Sequence, residues 1–459
     1  MMEKIYDNTL YYKLLRFFVR IPFVRFFRQI EIRGIERIPQ GDPVIFAGNH
    51  QNALFDALAI LFFQKGPIVF MARADIFQNK IVAKFLRSLK IAPIYRIRDG
   101  FENLTKNEKQ MNGAVNVLVD CKQMCLMPEG NLGNQHKLRP LVKGLFRIAY
   151  SAEERLNGEA HVKIVPVGID FSYYFHSGPD LVVTYGEPID VRDYVNIYRE
   201  NQANGLNLLR DKLAASMSPL MHDIRSVSDY EKIYRLCCLG TPAYLDVLLE
   251  KGEETDATTM AGLRFDARCA LSKILDGIDA ENPEQIGALD DLCKRLKQLP
   301  GSPAEVSEWM DDRQPGFITA LLMALSIPLL PGLLMNFPAW LISHQICKRI
   351  EDRQMHSTFV FTMGMLFNLI IYLVATCCLV NYTVVSALYG LLIFFFVTAY
   401  GLVSERARQA LRLPLRRMAW SFGKRGALLQ QCKADYRKLK EEIKKVVKNN
   451  GLRVVSKVF

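Results

Sequence analysis

A histidine and an aspartate stand six positions apart in the stretch GNHQNALFDALAI, residues 48–60, directly after the apolar run PVIFA. A neutral imidazole accepts a proton near pH 7, and a carboxylate on its other ring nitrogen fixes the tautomer and stabilises the imidazolium that forms. His50 and Asp56 are therefore candidates for general-base chemistry. The ordinary alternative is a polar residue at the end of a strand, because such pairs also arise by coincidence.

Positive side chains at two further places can hold a phosphate. The stretch IAPIYRIRDG ends a predicted strand with Arg96 and Arg98, and Lys143 stands at the predicted start of a helix. Arginine pairs with phosphate through two hydrogen bonds, and a helix amino terminus attracts negative charge. Each also has an ordinary interpretation, since Arg98 can pair with Asp99 and Lys143 can simply be solvated.

Short apolar runs between residues 30 and 190 predict strands that alternate with helical segments at 79–90, 106–121 and 144–157. This alternation indicates an α/β fold, in which catalytic groups gather beyond the carboxyl ends of the strands. Pro166 lies inside one run, where it removes a ladder hydrogen bond and can mark an edge strand. The predicted strands are QIEIRG, PVIFAG, PIVFMA, IAPIYRI, QMCLMPEG, KIVPVGID and LVVTYGEPI.

Two long stretches, residues 316–347 and 354–404, contain no Asp, Glu, Lys or Arg. Each exceeds the roughly 20 residues that cross a bilayer, so the sequence predicts an integral membrane protein. Residues 358–380 and 383–403 have the lengths of two spans. Residues 316–347 form either one span or, as their internal prolines favour, a broken segment that turns back within the membrane.

The chain has a formal charge of +12, and residues 405–459 carry all of it, with 16 Lys and Arg against 4 Asp and Glu. A basic helical segment directly after membrane spans predicts a cytoplasmic tail that anionic headgroups attract. A solvated helix that only obeys the topology rule explains the pattern equally well. If residues 316–347 turn back, this tail and residues 1–315 share the cytoplasmic side. Ten cysteines without a C-x-x-C pair predict reduced thiols.

Two other regions complete the predicted organisation. Residues 1–28 place Lys and Arg at helical spacing among Leu, Phe and Val, which predicts amphipathic helices in the headgroup layer, divided at Pro22. The alternative is a terminal helix packed on the domain. Residues 200–315 have a polar, helical pattern without a motif, so we interpret them as an accessory helical region.

Taken together and in order, four blocks resemble the PlsC-type glycerol-phosphate and lysophosphatidate acyltransferases of phospholipid synthesis. That family has an N-H-x-x-x-x-D block, an arginine block, an F-P-E-G block and a late block around proline. In this chain five residues separate His50 from Asp56 instead of four, so a turn or bulge must bring the carboxylate back. Within about residues 30–190 the blocks are Asn49-His50 with Asp56, Pro93-Ile-Tyr-Arg96, Met127-Pro-Glu-Gly130 and Val165-Pro166.

The resemblance implies a glycerolphosphate acyltransferase-like α/β domain, a mixed sheet flanked by helices, over residues 29–199. It implies transfer of a fatty acyl group from acyl-CoA or acyl carrier protein to a hydroxyl of a glycerol phosphate, with His50 as general base, Asp56 as its partner, and no metal or cofactor. The implied substrate-binding residues are Arg96 and Lys143 for the phosphate, Glu129 and Gly130 for the hydroxyls, and Arg98 and Arg73 as further phosphate ligands.

The expected partners are membrane lipids, the acyl donor and the glycerol phosphate acceptor, and not a nucleic acid. The longer spacing between His50 and Asp56 and the large helical and membrane additions favour glycerol-3-phosphate as acceptor, with lysophosphatidate as the alternative. A lipid-binding membrane scaffold that retains the fold is the non-enzymatic alternative. Too few spans and the lack of intramembrane charge count against a transporter.

Overall fold

The computed structural model contains one eight-stranded sheet, helices on both faces of it, and a C-terminal helical part. The structure describes residues 5–94, 104–173, 178–226, 229–251, 257–311, 324, 326–350, 355–382, 387–420 and 423–450. The strands are β1 (Gln29–Arg33), β2 (Val44–Gly48), β3 (Ile68–Arg73), β4 (Ile91–Ile94), β5 (Gln123–Leu126), β6 (Lys163–Phe171), β7 (Asp180–Tyr185) and β8 (Ile189–Asp190).

Helices connect the strands, and the elements that follow β8 are all helices in the part of the chain that the structure describes. Around the sheet they are α1 (Leu10–Phe26), α2 (Leu54–Phe63), α3 (Lys80–Ser88), α4 (Leu104–Val119), α5 (Gly144–Leu156), α6 (Arg192–Glu200) and α7 (Gln202–Met217). The later helices are α8 (Tyr230–Lys251), α9 (Met260–Glu281), α10 (Pro283–Asp291), α11 (Pro303–Met310), α12 (Leu330–Cys347), α13 (His356–Tyr382), α14 (Ala387–Trp420) and α15 (Gly423–Asn449).

The sheet is mixed, with the order β1-β7-β6-β2-β5-β3-β4 and β8 beside β6. The five neighbours β6, β2, β5, β3 and β4 run parallel, so their carboxyl ends meet at one edge. Only β7 and β8 pair with β6 in the antiparallel sense. Each of the seven predicted runs contains a strand, and the predicted mixed α/β sheet flanked by helices is confirmed.

Pro166 does not mark an edge strand, because β6 lies inside the sheet between β2 and β7. Its pairing with β7 begins at Val167, and its pairing with β8 involves Lys163 and Ile164. Pro166 therefore falls where the neighbouring chain passes from β7 to β8, and its own carbonyl accepts from Gly186 N at 2.9 Å. An interior strand tolerates the missing N–H here because the partner ladder is interrupted at this position.

Two separate cores cover the two faces of the sheet. On one face, α4, α5 and α7 pack their apolar side chains against β2, β3 and β5. On the other face, aromatic side chains of α1 and α2 meet Phe361 of α13, with the ring centres of Phe55 and Phe361 at 5.2 Å. Leu54 N at the start of α2 also donates to Thr358 Oγ1 at 3.3 Å. The start of α13 thus contacts the helix that follows β2.

The N-terminal helix α1 continues through Pro22, so the prediction that Pro22 divides it into two helices is wrong. A proline ring removes one hydrogen bond inside a helix, but the surrounding contacts can offset this loss. Phe23 and Phe26, which follow the proline, are buried in the aromatic core with Phe27. Packing of these rings holds the second part of α1 in line with the first.

The predicted accessory region is helical and shares its core with the end of the chain. Buried side chains of α8, α9, α10 and α11 enclose those of α15, including Leu439 and Ile443. Lys440 Nζ lies 3.2 Å from Asp246 Oδ2 and 3.6 Å from Asp311 Oδ1. Residues 423–450 are therefore packed on α8 and α11 through one apolar face and ion pairs.

Within the described part of the chain, one helical segment, His356–Val380, is long and apolar enough to cross a membrane. It contains the predicted span 358–380. Residues 387–403 of the other predicted span form the first half of α14, which continues to Trp420. The remaining transmembrane assignments stay predictions.

Residues 326–347 are the main described part of the predicted broken segment, and whether this segment turns back within the membrane stays a prediction. A 3-10 turn at Ile327–Leu329 leads directly into α12, and Pro331 occupies the first turn of that helix. Proline is favourable at this position because the first helical N–H groups have no partner within the helix. Residues 316–323 and 325 lie outside the described residues. α12 packs on its neighbours through Asn336, which donates to Gly401 O at 2.8 Å and accepts from Tyr372 OH at 2.8 Å.

Candidate active site

An irregular turn connects β2 with α2 and carries the histidine of the predicted pair. Five residues, 49–53, separate Gly48 from the start of α2, and Ala53 adopts φ 46° and ψ −117°. This positive-φ conformation is unfavourable for a residue with a side chain and is found where the chain must change direction sharply. The turn absorbs the extra residue between His50 and Asp56, as the sequence analysis requires.

The turn brings His50 and Asp56 into direct contact. His50 Nδ1 lies 2.9 Å from Asp56 Oδ2, and the same oxygen accepts from Gln51 N at 2.9 Å and Asn52 N at 2.8 Å. Asp56 is fully buried in the first turn of α2, where the helix dipole stabilises a negative charge. The side chain of His50 is 24% exposed. Because Nδ1 faces the carboxylate, Nε2 is the ring nitrogen that can take a proton from a bound hydroxyl.

Asn49 fixes the turn to the neighbouring strand. Its Nδ2 donates to Ile169 O at 2.9 Å, and its Oδ1 accepts from Ile169 N at 2.7 Å. This amide therefore pairs with β6 where β2 has ended. The position of His50 relative to β6 is set by these two hydrogen bonds.

Glu129, after the end of β5, holds the backbone of His50. Its Oε2 accepts from His50 N at 2.9 Å, and its Oε1 accepts from Arg139 N at 3.0 Å. Arg139 Nη2 also donates to Oε2 at 3.0 Å. The carboxylate is buried, and its described contacts are with the protein itself. The predicted contact of Glu129 with acceptor hydroxyls stays a prediction.

Arg139 is the residue near His50 that the sequence analysis missed. Besides pairing with Glu129, its Nη1 donates to Leu132 O at 2.9 Å, and its Nη2 donates to Asn131 O. Its Nη2 is also 3.4 Å from His50 O. Nothing in the local sequence separates this arginine from other basic residues, because its partner stands ten positions earlier across an irregular loop.

The same loop contains Gly130 and Lys143. Gly130 has φ 71°, and a Cβ there would lie 3.3 Å from the methyl groups of Val142, so glycine is favoured on both grounds. Val142 N donates to Pro128 O at 2.7 Å, which ties the start of α5 to the loop of Glu129. Lys143 immediately precedes α5 and is exposed. Its predicted contact with phosphate is untested.

Of the three arginines predicted to bind phosphate, the structure describes one, Arg73. Arg73 ends β3 at the same sheet edge as His50 and Glu129. Its side chain is 61% exposed, and its Nε lies 3.2 Å from Asp75 Oδ1. Arg96 and Arg98 lie outside the described residues, as does the alternative pairing of Arg98 with Asp99. β4, which precedes them, neighbours β3 at this edge.

One cluster of metal-type ligands occurs among the described residues, beside the loop of Glu129. His136, Asp170 and His222 are buried, and their ligand atoms lie within 4.8 Å of one another. Arg268 Nη2 donates to Asp170 Oδ2 at 2.5 Å. Burial alone would raise the pKa of Asp170, but Arg268 outweighs it and holds that pKa well below its usual range. Because a guanidinium already balances the carboxylate, we interpret the cluster as a polar contact between β6 and α9.

His222 is the unusual member of this cluster. Among the described residues, neither ring nitrogen has a hydrogen-bond partner, although both are buried. Burial lowers the pKa of His222 well below its ordinary value, with His136 as a further cause. The ring is therefore neutral near pH 7. The absence of a metal requirement, which the family resemblance implies, stays a prediction.

The chain was compared with protein-family models, curated proteins and solved structures. Residues 29–170 match the family model of the acyltransferases. Among solved structures, the chain is similar to the 1-acyl-sn-glycerophosphate (LPA) acyltransferase PlsC from Thermotoga maritima, with 19% sequence identity and a TM-score of 0.34. That match covers 44% of this chain and 78% of the other chain. No curated protein matches the chain. The family match is the comparison that bears on function.

Proposed function

Since residues 29–170 are an acyltransferase domain, the protein is an acyltransferase, and we propose that it transfers a fatty acyl group to glycerol-3-phosphate at a membrane surface. The donor is a thioester of coenzyme A or of acyl carrier protein. The contact of His50 with the buried carboxylate of Asp56 at the carboxyl edge of the sheet is the observation that carries this proposal.

In the proposed reaction, His50 Nε2 takes the proton of the acceptor hydroxyl while the oxygen attacks the thioester carbonyl. Asp56 stabilises the imidazolium and keeps Nδ1 protonated throughout. When the tetrahedral intermediate collapses, the carbon–sulfur bond breaks, and the imidazolium returns the proton to the leaving thiolate. No protein nucleophile is needed because the thioester is already activated. Glu129, Arg139 and Asn49 act as positioning residues, since they hold the backbone on either side of the imidazole.

The acceptor carries a phosphate, which the exposed cations at this edge can bind. Lys143 before α5 and Arg73 at the end of β3 are the described candidates. Arg96 and Arg98 are the further candidates from the arginine block. The five-residue interval between His50 and Asp56 supports glycerol-3-phosphate over lysophosphatidate, on the family resemblance described above.

The product and the acyl chain are lipids, which favours a location on the membrane. The apolar helix His356–Val380 is the candidate anchor, and it contacts α2 next to Asp56 through Phe361 and Phe55. The basic residues after Ser404 support a cytoplasmic position for the catalytic domain and for residues 405–459. A site held beside the leaflet releases its product directly into the bilayer.

Purified full-length protein in phospholipid vesicles, given labelled acyl-CoA or labelled acyl-acyl carrier protein, tests the proposal. We expect incorporation of label into glycerol-3-phosphate that exceeds incorporation into lysophosphatidate. His50→Ala should reduce the initial rate by about 10²–10⁴-fold, as loss of a general base typically does. Circular dichroism and vesicle flotation of the variant report whether it still folds and inserts.

Three outcomes would change the conclusion. Activity of His50→Ala above about one per cent of the parent rate would remove His50 as the base. Faster acylation of lysophosphatidate would keep the mechanism and change the acceptor. Lack of activity with both acceptors and both kinds of donor would refute glycerol phosphate acylation as the function.

A further inference from the structure

The short helix α3, Lys80–Ser88, exposes its apolar side chains instead of burying them. Ile81 is 81% exposed and Phe85 is 53% exposed, and Val82 is also exposed. Ala83 is the only residue of α3 that is buried. Large apolar side chains on a helix that follows a sheet strand normally face the sheet, so this exposure needs an explanation.

The exposed apolar side chains of α3 form one stripe. At about 100° per residue, Ile81, Phe85 and Val82 fall within an arc of about 100°. Lys80, Lys84 and Arg87 cluster about the opposite side of the helix axis. Ala83, the buried contact, also lies far from the apolar arc. The helix is therefore amphipathic, with its apolar side turned away from the body of the domain and its cations on the other side.

Lys90, just after α3, joins this helix to α1. Its ammonium donates to Ile5 O at 3.1 Å and also to Asp7 O. It lies 4.4 Å from the centre of the Tyr12 ring. Lys90 is buried, and its pKa is lowered by that burial. The end of α3 is thus fixed against the first turn of α1.

α1 repeats the arrangement of α3. Its buried side chains are Tyr12, Phe23 and Phe26, whereas Leu10, Leu14, Phe17 and Val24 lie along an exposed apolar stripe. Phe23 and Phe26 contact Phe361 at the start of the candidate membrane helix, with ring centres at 6.3 and 6.2 Å. α3, α1 and α13 therefore form one continuous chain of contacts.

We propose that α3 is a second membrane-docking element, whose apolar stripe enters the headgroup layer of an anionic bilayer. Ile81, Val82 and Phe85 would insert, and Lys80, Lys84 and Arg87 would pair with lipid phosphates. A helix with an apolar stripe on one side and cations on the other binds such a surface by burying apolar area and by electrostatic attraction to anionic lipids. This inference rests on the membrane location in the proposed function. Docking of α3 would place the carboxyl end of β3 near the leaflet, because α3 follows that end of the strand before the chain returns to the amino end of β4.

A bilayer fits this face better than an acidic protein such as acyl carrier protein. An acidic partner would use mainly the cations, and it would leave Ile81 and Phe85 without an apolar contact. A lipid surface takes both at once, and α1 and α13, which share the aromatic core on one face of the sheet, also expose large apolar side chains. Docking of a protein partner is the competing outcome of the test below.

Photo-cross-linking in the full-length protein tests the proposal. p-Benzoylphenylalanine replaces Phe85 in one variant and Leu208 in a matched control, since Leu208 is an exposed apolar residue of α7 on the other face of the sheet. Both proteins are reconstituted in vesicles that contain phosphatidylglycerol and then irradiated. We expect mass spectrometry to detect a phospholipid adduct at position 85 and none at position 208. Equal yields at the two positions would overturn the proposal. It would also be overturned if position 85 formed no phospholipid adduct and cross-linked only to added acyl carrier protein.

A charge-neutralised variant tests the role of the cations. Lys80→Gln, Lys84→Gln and Arg87→Gln together should lower the adduct yield at position 85 by at least about fivefold in vesicles with anionic lipid, because each cation near such a surface contributes measurably. The yield in neutral vesicles should change little. An unchanged yield in anionic vesicles would contradict the electrostatic part. The assay needs no turnover and is repeated in the His50→Ala background, so failure of docking and failure of the proposed reaction are separate results.

Discussion

Asp56→Asn isolates the part that the buried carboxylate plays in the proposed reaction. Asp56 Oδ2 accepts three hydrogen bonds, from His50 Nδ1 and from the backbone N–H groups of Gln51 and Asn52. An asparagine can keep all three if its carbonyl oxygen takes the place of Oδ2. The turn and the tautomer of His50 should then survive, and the change removes chiefly the negative charge beside the imidazolium.

The expected magnitude follows from that charge. With charge centres about 4 Å apart and an effective dielectric constant of about 20, the carboxylate stabilises the imidazolium by about 4 kcal/mol. At 1.36 kcal/mol per tenfold, the rate of the chemical step should fall by about 10³-fold. The new NH₂ group would lie where Asp56 Oδ1 is buried without a partner among the described residues. Leaving it unpaired should cost about 1–3 kcal/mol of stability.

Single-turnover acyl transfer in vesicles is the appropriate assay, because product release can otherwise hide the chemical step. The denaturation midpoint of each variant in detergent separates lost stability from lost activity. Glu153→Gln provides a matched control, since Glu153 accepts from His161 Nδ1 and Val162 N, both at 2.7 Å. This second histidine–carboxylate pair lies at the amino end of β6, away from the proposed site.

We expect Glu153→Gln to retain the parent rate. A rate within tenfold of the parent for folded Asp56→Asn would refute the idea that Asp56 stabilises a developing imidazolium. An equal loss in both variants would indicate a general structural effect and would refute the specific role of the pair.

Two further predictions concern stability. Arg139→Leu leaves the buried carboxylate of Glu129 without its cation and should lower the free energy of unfolding by about 3 kcal/mol. The double variant that also has Glu129→Gln should recover stability, as measured by the midpoint of chemical denaturation. Lack of recovery would contradict this prediction. Burial holds the pKa of His222 below its ordinary value, so the unfolded chain binds the extra proton and stability falls as pH drops below about 6.5. His222→Phe should therefore make the measured fall in stability between pH 7 and 5 shallower; an unchanged slope would refute it.

Local patterns predicted the main features of the sheet domain. All seven apolar runs contain strands, because short β-branched and aromatic runs bounded by turns have few alternatives between helices. The order of the four motif blocks predicted an acyltransferase domain, and residues 29–170 match the family model of the acyltransferases. His50 and Asp56 were identified because both stand near the end of a strand at a distance that one turn can close.

The tertiary structure decided how those residues meet and which others support them. The positive-φ conformation of Ala53 and the pairing of Arg139 with Glu129 depend on contacts between loops that are distant in sequence. The interior position of Pro166 depends on where β7 passes to β8, and the packing of α15 depends on the apolar surface that α8 presents. Periodicity reports which side of an element is apolar, but only the assembled chain determines whether that side faces a core, as in α15, or points away from one, as in α3.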